Sequence, residues 1–163
     1  MTCEIDEIRG CPEFADRVID RIWRAWWQPR GHPRSVIETP VQRNLASCEP
    51  LPFCLVAHVG GRFLGTVSVI ASDVESRPLL TPWLAALWVE PAQRRAGVAG
   101  ALLQTATSRT FDLGERQLYL YCADAMRAFY ERRGWRLHEP DVPAPHMCIL
   151  RHTGRRGRKT GCG

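Results

Sequence analysis

The spacing of apolar positions changes along this chain, first helical, then strand-like, then alternating between the two. Phe14, Val18, Ile22 and Trp26 recur every fourth residue while Asp16, Arg17, Asp20, Arg21 and Arg24 take the other faces, which predicts an amphipathic helix with Pro12 near its first turn. A short strand is expected over 3–8 and a second helix over 34–47. Three tryptophans crowd the end of the first helix. Trp26 is expected to pack in the core, whereas Trp27, beside Gln28-Pro29-Arg30-Gly31, is placed to line a ligand cleft. Phe53–Val59 and Arg62–Ala71 are β-rich and separated by Gly60-Gly61, a two-residue hairpin signal.

A polar loop over 72–82, carrying Asp73, Glu75 and Arg77, leads into an apolar strand over 83–89. A helix is predicted from near Arg95 to about Asp112 with Gly114 as its stop, then a strand over 117–122 and a helix over 124–133 ended by Gly134. Strands over 135–138 and 146–151, joined by the Pro-rich 139–145, complete the chain. Strand, helix, strand at this spacing is a βαβ unit, so 84–89 and 117–122 are expected to run parallel under helices. The order β α α β β β α β α β β predicts an α/β protein whose mixed sheet has its parallel pair in the middle.

Length and composition narrow this picture. A chain of 163 residues, 45% hydrophobic and 24% charged, fits one soluble domain, expected over 1–153. Of the formal net charge of +5, four units sit in Arg155, Arg156, Arg158 and Lys159, so residues 1–153 carry only +1. The body offers no patch for nucleic acid, and the basic tail over 154–163 is expected to be disordered. The seven cysteines are odd in number and form no Cys-x-x-Cys pair, which points to free thiols in a reducing cytoplasm. The five histidines show no metal-ligand spacing, and no metal is expected. Met1 to Ile8 is acidic where an export signal is basic, and no apolar run approaches the ~20 residues of a membrane span.

The candidate chemistry lies in two stretches. Between strand and helix, Val89-x-Pro91 leads into Arg94-x-x-Gly97-x-Ala99, where small residues bare backbone N–H groups at the positive end of a helix, a site suited to phosphate. A ligand held there would extend past the carboxyl ends of the parallel strands, where α/β sheets bind ligands. The dinucleotide fingerprint G-x-G-x-x-G is absent. The second stretch, Ala128-Phe129-Tyr130-Glu131-Arg132-Arg133-Gly134-Trp135, places a tyrosine just past the second parallel strand.

Together these two stretches resemble the GCN5-related N-acetyltransferases. Arg94-x-x-Gly97-x-Ala99 is similar to that family's pyrophosphate loop, and Phe129-Tyr130-Glu131-x-x-Gly134-Trp135 to its FYE-x-x-GF/W segment, over roughly residues 50–151. The resemblance implies a mostly antiparallel mixed sheet with a central splayed parallel pair flanked by helices. It implies acetyl-CoA as co-substrate, with its pyrophosphate on the N–H groups of Arg95, Ala96, Gly97, Val98, Ala99 and Gly100 beside Arg94, and its pantetheine arm along Leu87, Trp88 and Val89. Tyr130 matches the tyrosine that donates a hydrogen bond or proton to the departing sulfur. The chain departs from the family at Ala123, where an Asn is usual, and at Ala99, where Gly is commoner.

The implied reaction makes demands of its own. A primary amine of pKa ~10.4 is protonated at pH 7, and freeing it costs about 4.6 kcal/mol. A tyrosine stays protonated and suits the acid role. The strand over 83–89 holds no acid, leaving Asp73, Glu75 or Asp124, acting through water, as candidate bases. Acceptor contacts are expected from Trp27, the Asp73–Trp83 loop and the 139–145 loop, with a small-molecule amine preferred to a peptide amine. A non-catalytic acyl-CoA sensor is the alternative reading. Neither nucleic acid nor membrane is an expected partner, and a homodimer is admitted.

Overall fold

The computed structural model describes residues 3–154. The sequence assigned to a basic tail lies, from Arg155 onward, outside the described residues. Gly60 and Gly61, at φ 53° and 78°, occupy the left-handed backbone that a two-residue turn demands, and they join β2 (Phe53–Val59) to β3 (Arg62–Ile70) as an antiparallel hairpin. Around it builds a seven-stranded sheet in the order β1-β2-β3-β4-β5-β7-β6. Its other strands are β1 (Glu4–Glu7), β4 (Trp83–Val89), β5 (Gln117–Ala123), β6 (Arg136–Pro140) and β7 (Met147–Thr153). The β4/β5 pair is parallel and every other pair antiparallel. The sheet is thus the mixed, mostly antiparallel one expected.

Helices cover both faces. On one, Leu102, Leu103 and Ala106 of α3 (Val98–Asp112) are at most 1% exposed against Leu55, Leu64 and Leu118 of the strands. On the other, Val18, Ile19 and Ile22 of α1 (Ala15–Ile22) and Val41 of α2 (Ser35–Ala46) pack on Cys54, Val56 and Phe63. A short α4 (Arg127–Glu131) closes the α3 side through Tyr130.

Two helical expectations change. The first helix runs as α-helix only to Ile22; Trp23–Trp27 then form a π-turn, with the Gln28 N–H bonded to the Trp23 carbonyl. The wider turn moves Trp26 off the stripe of Phe14, Val18 and Ile22 and leaves it 36% exposed, while Trp27 packs against the α1–α2 cluster and edge-on to His32 at 5.3 Å. The third helix begins at Val98 instead of near Arg95, because Arg95 (φ 63°) and Gly97 (φ 85°) are both left-handed and cannot continue a right-handed helix.

One irregularity positions the site. Thr66 pairs with Trp88 and Ser68 with Ala85, so Ala86 and Leu87 together oppose the single residue Val67. Ala86 takes φ 55° to make this bulge. Beyond it β4 stays with β3 and leaves β5, whose register with β4 holds only at Trp83↔Tyr119.

Gly65, opposite Val89, keeps β3 close to this bent strand. A methyl on it would lie 2.7 Å from the Trp88 carbonyl oxygen and 3.2 Å from Leu102. Gly65→Ala is expected to cost about 1–3 kcal/mol in urea unfolding. Gly10→Ala, where a methyl meets nothing within 4 Å, should be nearly neutral and serves as its control.

Candidate active site

The loop from Arg94 to Gly97 and the first turn of α3 form one cradle. Gly97 caps α3, and its carbonyl takes the Ala101 N–H at 3.0 Å. The N–H groups of Val98, Ala99 and Gly100 precede that first intrahelical bond and are open to an anion. Arg94 holds the loop: Nε donates to the Val89 carbonyl at 3.1 Å, and the guanidinium lies 6.0 Å from the Trp88 ring centre. A cavity of about 300 Å³ opens here, lined among others by Val89, Arg95, Gly97, Gly100, Phe129 and Arg133.

From the cradle the gap between β4 and β5 runs inward. The Glu90 N–H donates to the Leu64 carbonyl at 2.8 Å, so that of Val89, one residue earlier, faces away from β3 toward the gap. Val89, Val98, Cys122 and Tyr130 share one buried cluster, with Leu87, Ala99 and Phe129 packed against it. Tyr130 is 9% exposed and has edge contacts with Phe129 (5.1 Å) and Trp135 (6.2 Å). Burial, reinforced by the nearby Cys122, pushes its phenol up to about 12. Cys122 faces Cys148 across β5 and β7 with Sγ atoms 3.9 Å apart, and burial pushes the Cys122 thiol up to about 12 as well. Both are free thiols, as are the other cysteines among the described residues.

The opposite face of the sheet carries the remaining candidates. Along β5, Tyr119 and Tyr121 alternate with Leu118, Leu120 and Cys122 and so point away from α3. Tyr121 packs with Val74 and Trp83, which brings Asp73 beside it; burial, then the Asp73 charge, pushes the Tyr121 hydroxyl up, and Arg30 opposes this. Burial alone pushes the Asp73 carboxyl up to about 6. Glu75, two residues on, is exposed. Trp83, expected at the acceptor, is fully buried with Nε1 bonded to the Leu80 carbonyl at 2.5 Å, so it supports the 72–82 loop from beneath and presents no surface to a ligand. Arg77 of that loop forms a two-point ion pair with Glu139 of β6, with Nε to Oε2 at 2.8 Å. Among the described residues, one trio of possible metal ligands, Glu4, Asp6 and His58, comes together, and it lies on the outer edge of the sheet away from this cleft.

The profile of the acetyltransferase (GNAT) family matches residues 19–135, most of the chain from α1 to Trp135. The chain belongs to the acetyltransferase (GNAT) family. No curated protein matches significantly. Among solved structures, an aminoglycoside 6'-N-acetyltransferase complexed with coenzyme A superposes with TM-score 0.71 at 16% identity, covering 92% of this chain and 96% of that one. The aminoglycoside 6'-N-acetyltransferase of Enterococcus faecium gives 0.69 at 17%, with 92% and 96% covered. The PaiA N-acetyltransferase of Thermoplasma acidophilum, in complex with coenzyme A, gives 0.61 at 17%, with 94% and 100% covered. At such identities these likenesses establish the GNAT fold.

Three residues of this GNAT site escape sequence reading. Gly65 appears as an ordinary strand glycine until β4 is seen 2.7 Å from its missing methyl. Tyr121 reads as one more apolar strand position, although its period-2 alternation with Cys122 already sets the two on opposite faces. Arg133 falls on an unspecified position of the Tyr130 segment, three residues after the tyrosine, and only the packing of α4 against α3 brings it to Gly100.

The half-buried Asp73 carries a stability signature. Its pKa is raised from 3.8 in the open chain to about 6 when folded, so the protonated form is favoured by folding. That contribution is fully present below pH ~3.8 and is lost as pH rises through about 6. Asp73→Asn is therefore expected to gain about 2–3 kcal/mol of stability relative to wild type between pH 4 and pH 7.5. Urea unfolding of both proteins at the two pH values measures this.

Proposed function

We propose that this acetyltransferase moves the acetyl group of acetyl-CoA to a primary amine of a small molecule by direct attack in a ternary complex. The observation that carries this reading is the bulge-opened gap between β4 and β5, with the Val89 N–H facing into it, the anion cradle at one end and Tyr130 in its wall. The pyrophosphate lies on the N–H groups from Arg95 to Gly100 and the pantetheine follows Leu87, Trp88 and Val89, which places the thioester carbonyl oxygen at the Val89 N–H. A backbone donor fixed there stabilises the charge that develops on that oxygen.

Asp73 serves as base through water. A carboxyl of pKa about 6 is ionised at neutral pH; taking the proton from an ammonium of pKa ~10.4 is uphill by about 6 kcal/mol, so Asp73 relays that proton through water to the solvent and keeps only a small fraction of the amine free at any moment. The freed amine attacks the thioester carbon, the C–S bond breaks, and the proton left on nitrogen passes to the thiolate. Tyr130 then stabilises the sulfur by donating a hydrogen bond and keeps its own proton. Moving that proton from a phenol near 12 to a thiolate of ordinary pKa ~8.5 would be uphill by about 4.8 kcal/mol. Cys122, held as a thiol by a pKa near 12, takes no covalent part.

The acceptor approaches on the face of Trp27, Asp73 and Tyr121. The Arg77–Glu139 pair, which ties the loop over 72–82 to β6, supports a small acceptor, since a polypeptide would have to part these segments. The structural likeness to enzymes named for aminoglycosides supports an amine acceptor in the same way.

Thiol release from acetyl-CoA across a panel of amines tests this reading. Tyr130→Phe is expected to lower kcat about 10²-fold while leaving the Kd for acetyl-CoA within about twofold. Wild type that binds acetyl-CoA and turns over no amine would overturn the enzyme reading in favour of a sensor. For Asp73, the kcat/KM profile should carry an inflection near pH 6 that Asp73→Asn lacks, and an unchanged profile would remove Asp73 as base.

A further inference from the structure

Of the three arginines that line the donor end of the cleft, Arg133 alone comes from outside the loop and helix of the cradle. Arg133 follows α4, is exposed, and forms no ion pair with a carboxylate among the described residues. Its guanidinium is nevertheless fixed from two directions. Cζ sits 3.9 Å above the centre of the Phe129 ring, and Nη1 donates to the Phe129 carbonyl at 2.8 Å. These contacts occupy one face and one corner of the group.

The remaining edge, Nε and Nη2, is turned to Gly100. A methyl placed on Gly100 would lie 3.4 Å from Nε and 3.3 Å from Nη2. Gly100 is the third residue of α3, in the turn whose N–H groups precede the first intrahelical bond. The free edge of Arg133 therefore stands against the anion cradle. This edge carries two parallel N–H donors and a full charge, the geometry that matches a phosphate bidentately. The backbone N–H groups of the cradle offer only neutral dipoles. Arg94 turns its Nε to the Val89 carbonyl, Arg95 lines the cavity from the loop, and no acidic residue lines the cavity of about 300 Å³ to neutralise Arg133.

We infer that Arg133 is a specificity-determining contact for the diphosphate of the acyl donor, reaching from the end of α4 to the N-terminus of α3, so that the site selects coenzyme A thioesters over those of phosphate-free pantetheine. This rests on the acyl-CoA reading above. It also accounts for the small residue at position 100, since a Cβ there already crowds the guanidinium at 3.3 Å and a larger side chain displaces it.

Isothermal titration of coenzyme A and of pantetheine into wild type, Arg133→Met and Arg133→Lys tests the assignment, with thermal melts confirming that each variant is folded. Arg133→Met is expected to raise the Kd for coenzyme A at least tenfold and to leave that for pantetheine within twofold. Arg133→Lys, which keeps the charge without the fork, should fall between. Gly100→Val, which leaves Arg133 in place chemically and displaces it sterically, should weaken coenzyme A in the same sense. Wild type that fails to bind coenzyme A overturns the acyl-CoA reading and this inference with it. Coenzyme A binding unchanged in Arg133→Met, or equal losses for both ligands, overturns the role of Arg133 alone.

Discussion

Backbone pairing decides this site. Up to Trp83, β4 is bonded between β3 and β5; past Ala86 and Leu87 it follows β3 alone, because two residues there face one across the ladder. A regular strand would have closed the sheet and paired the Val89 N–H with β5. The bulge keeps the sheet intact at one end and opens it at the other, and the N–H cradle, the wall holding Tyr130 and the face of Asp73 and Tyr121 are arranged around that opening. Gly65 is its necessary counterpart, since only a residue without Cβ lets β3 stay against the bent strand.

The electrostatics of the cleft follow from burial more than from charge pairing. Asp73 and Tyr130 are both pushed up by desolvation, to about 6 and about 12, and in opposite functional directions. The first titrates close to neutrality, as the proposed base requires. The second becomes a more tenacious phenol, fit to donate a hydrogen bond and unfit to give up its proton. Neither shift involves a strong partner charge, so the same packing that encloses the reacting atoms also tunes them. At the donor end the logic reverses: arginines gather without acids, and the position of Arg133 is set by an aromatic ring and a carbonyl instead of a carboxylate.

The sequence patterning foretold the element order, the hairpin at Gly60-Gly61, the parallel pair and the two stretches that meet at the cradle. These are local matters of period, turn residues and small side chains. Where it misplaced features, the cause was tertiary. Trp26 leaves the core because a π-turn shifts the helical stripe, and no spacing rule announces such a turn. Trp83, read as an acceptor contact, is needed to fill the space under the loop over 72–82. Of two acids two residues apart in that loop, Asp73 turns in beside Tyr121 and Glu75 stays in water.

The chain by itself thus determined the class of fold, the family and the small-residue loop of the cradle, because glycine placement and apolar period act within a few residues of where they are read. Only the tertiary structure decided how far the central strands part, which carboxyl is desolvated and which arginine meets the helix end. Those depend on pairs such as Gly65 with Trp88 and Gly100 with Arg133, brought into contact by packing between elements far apart along the chain.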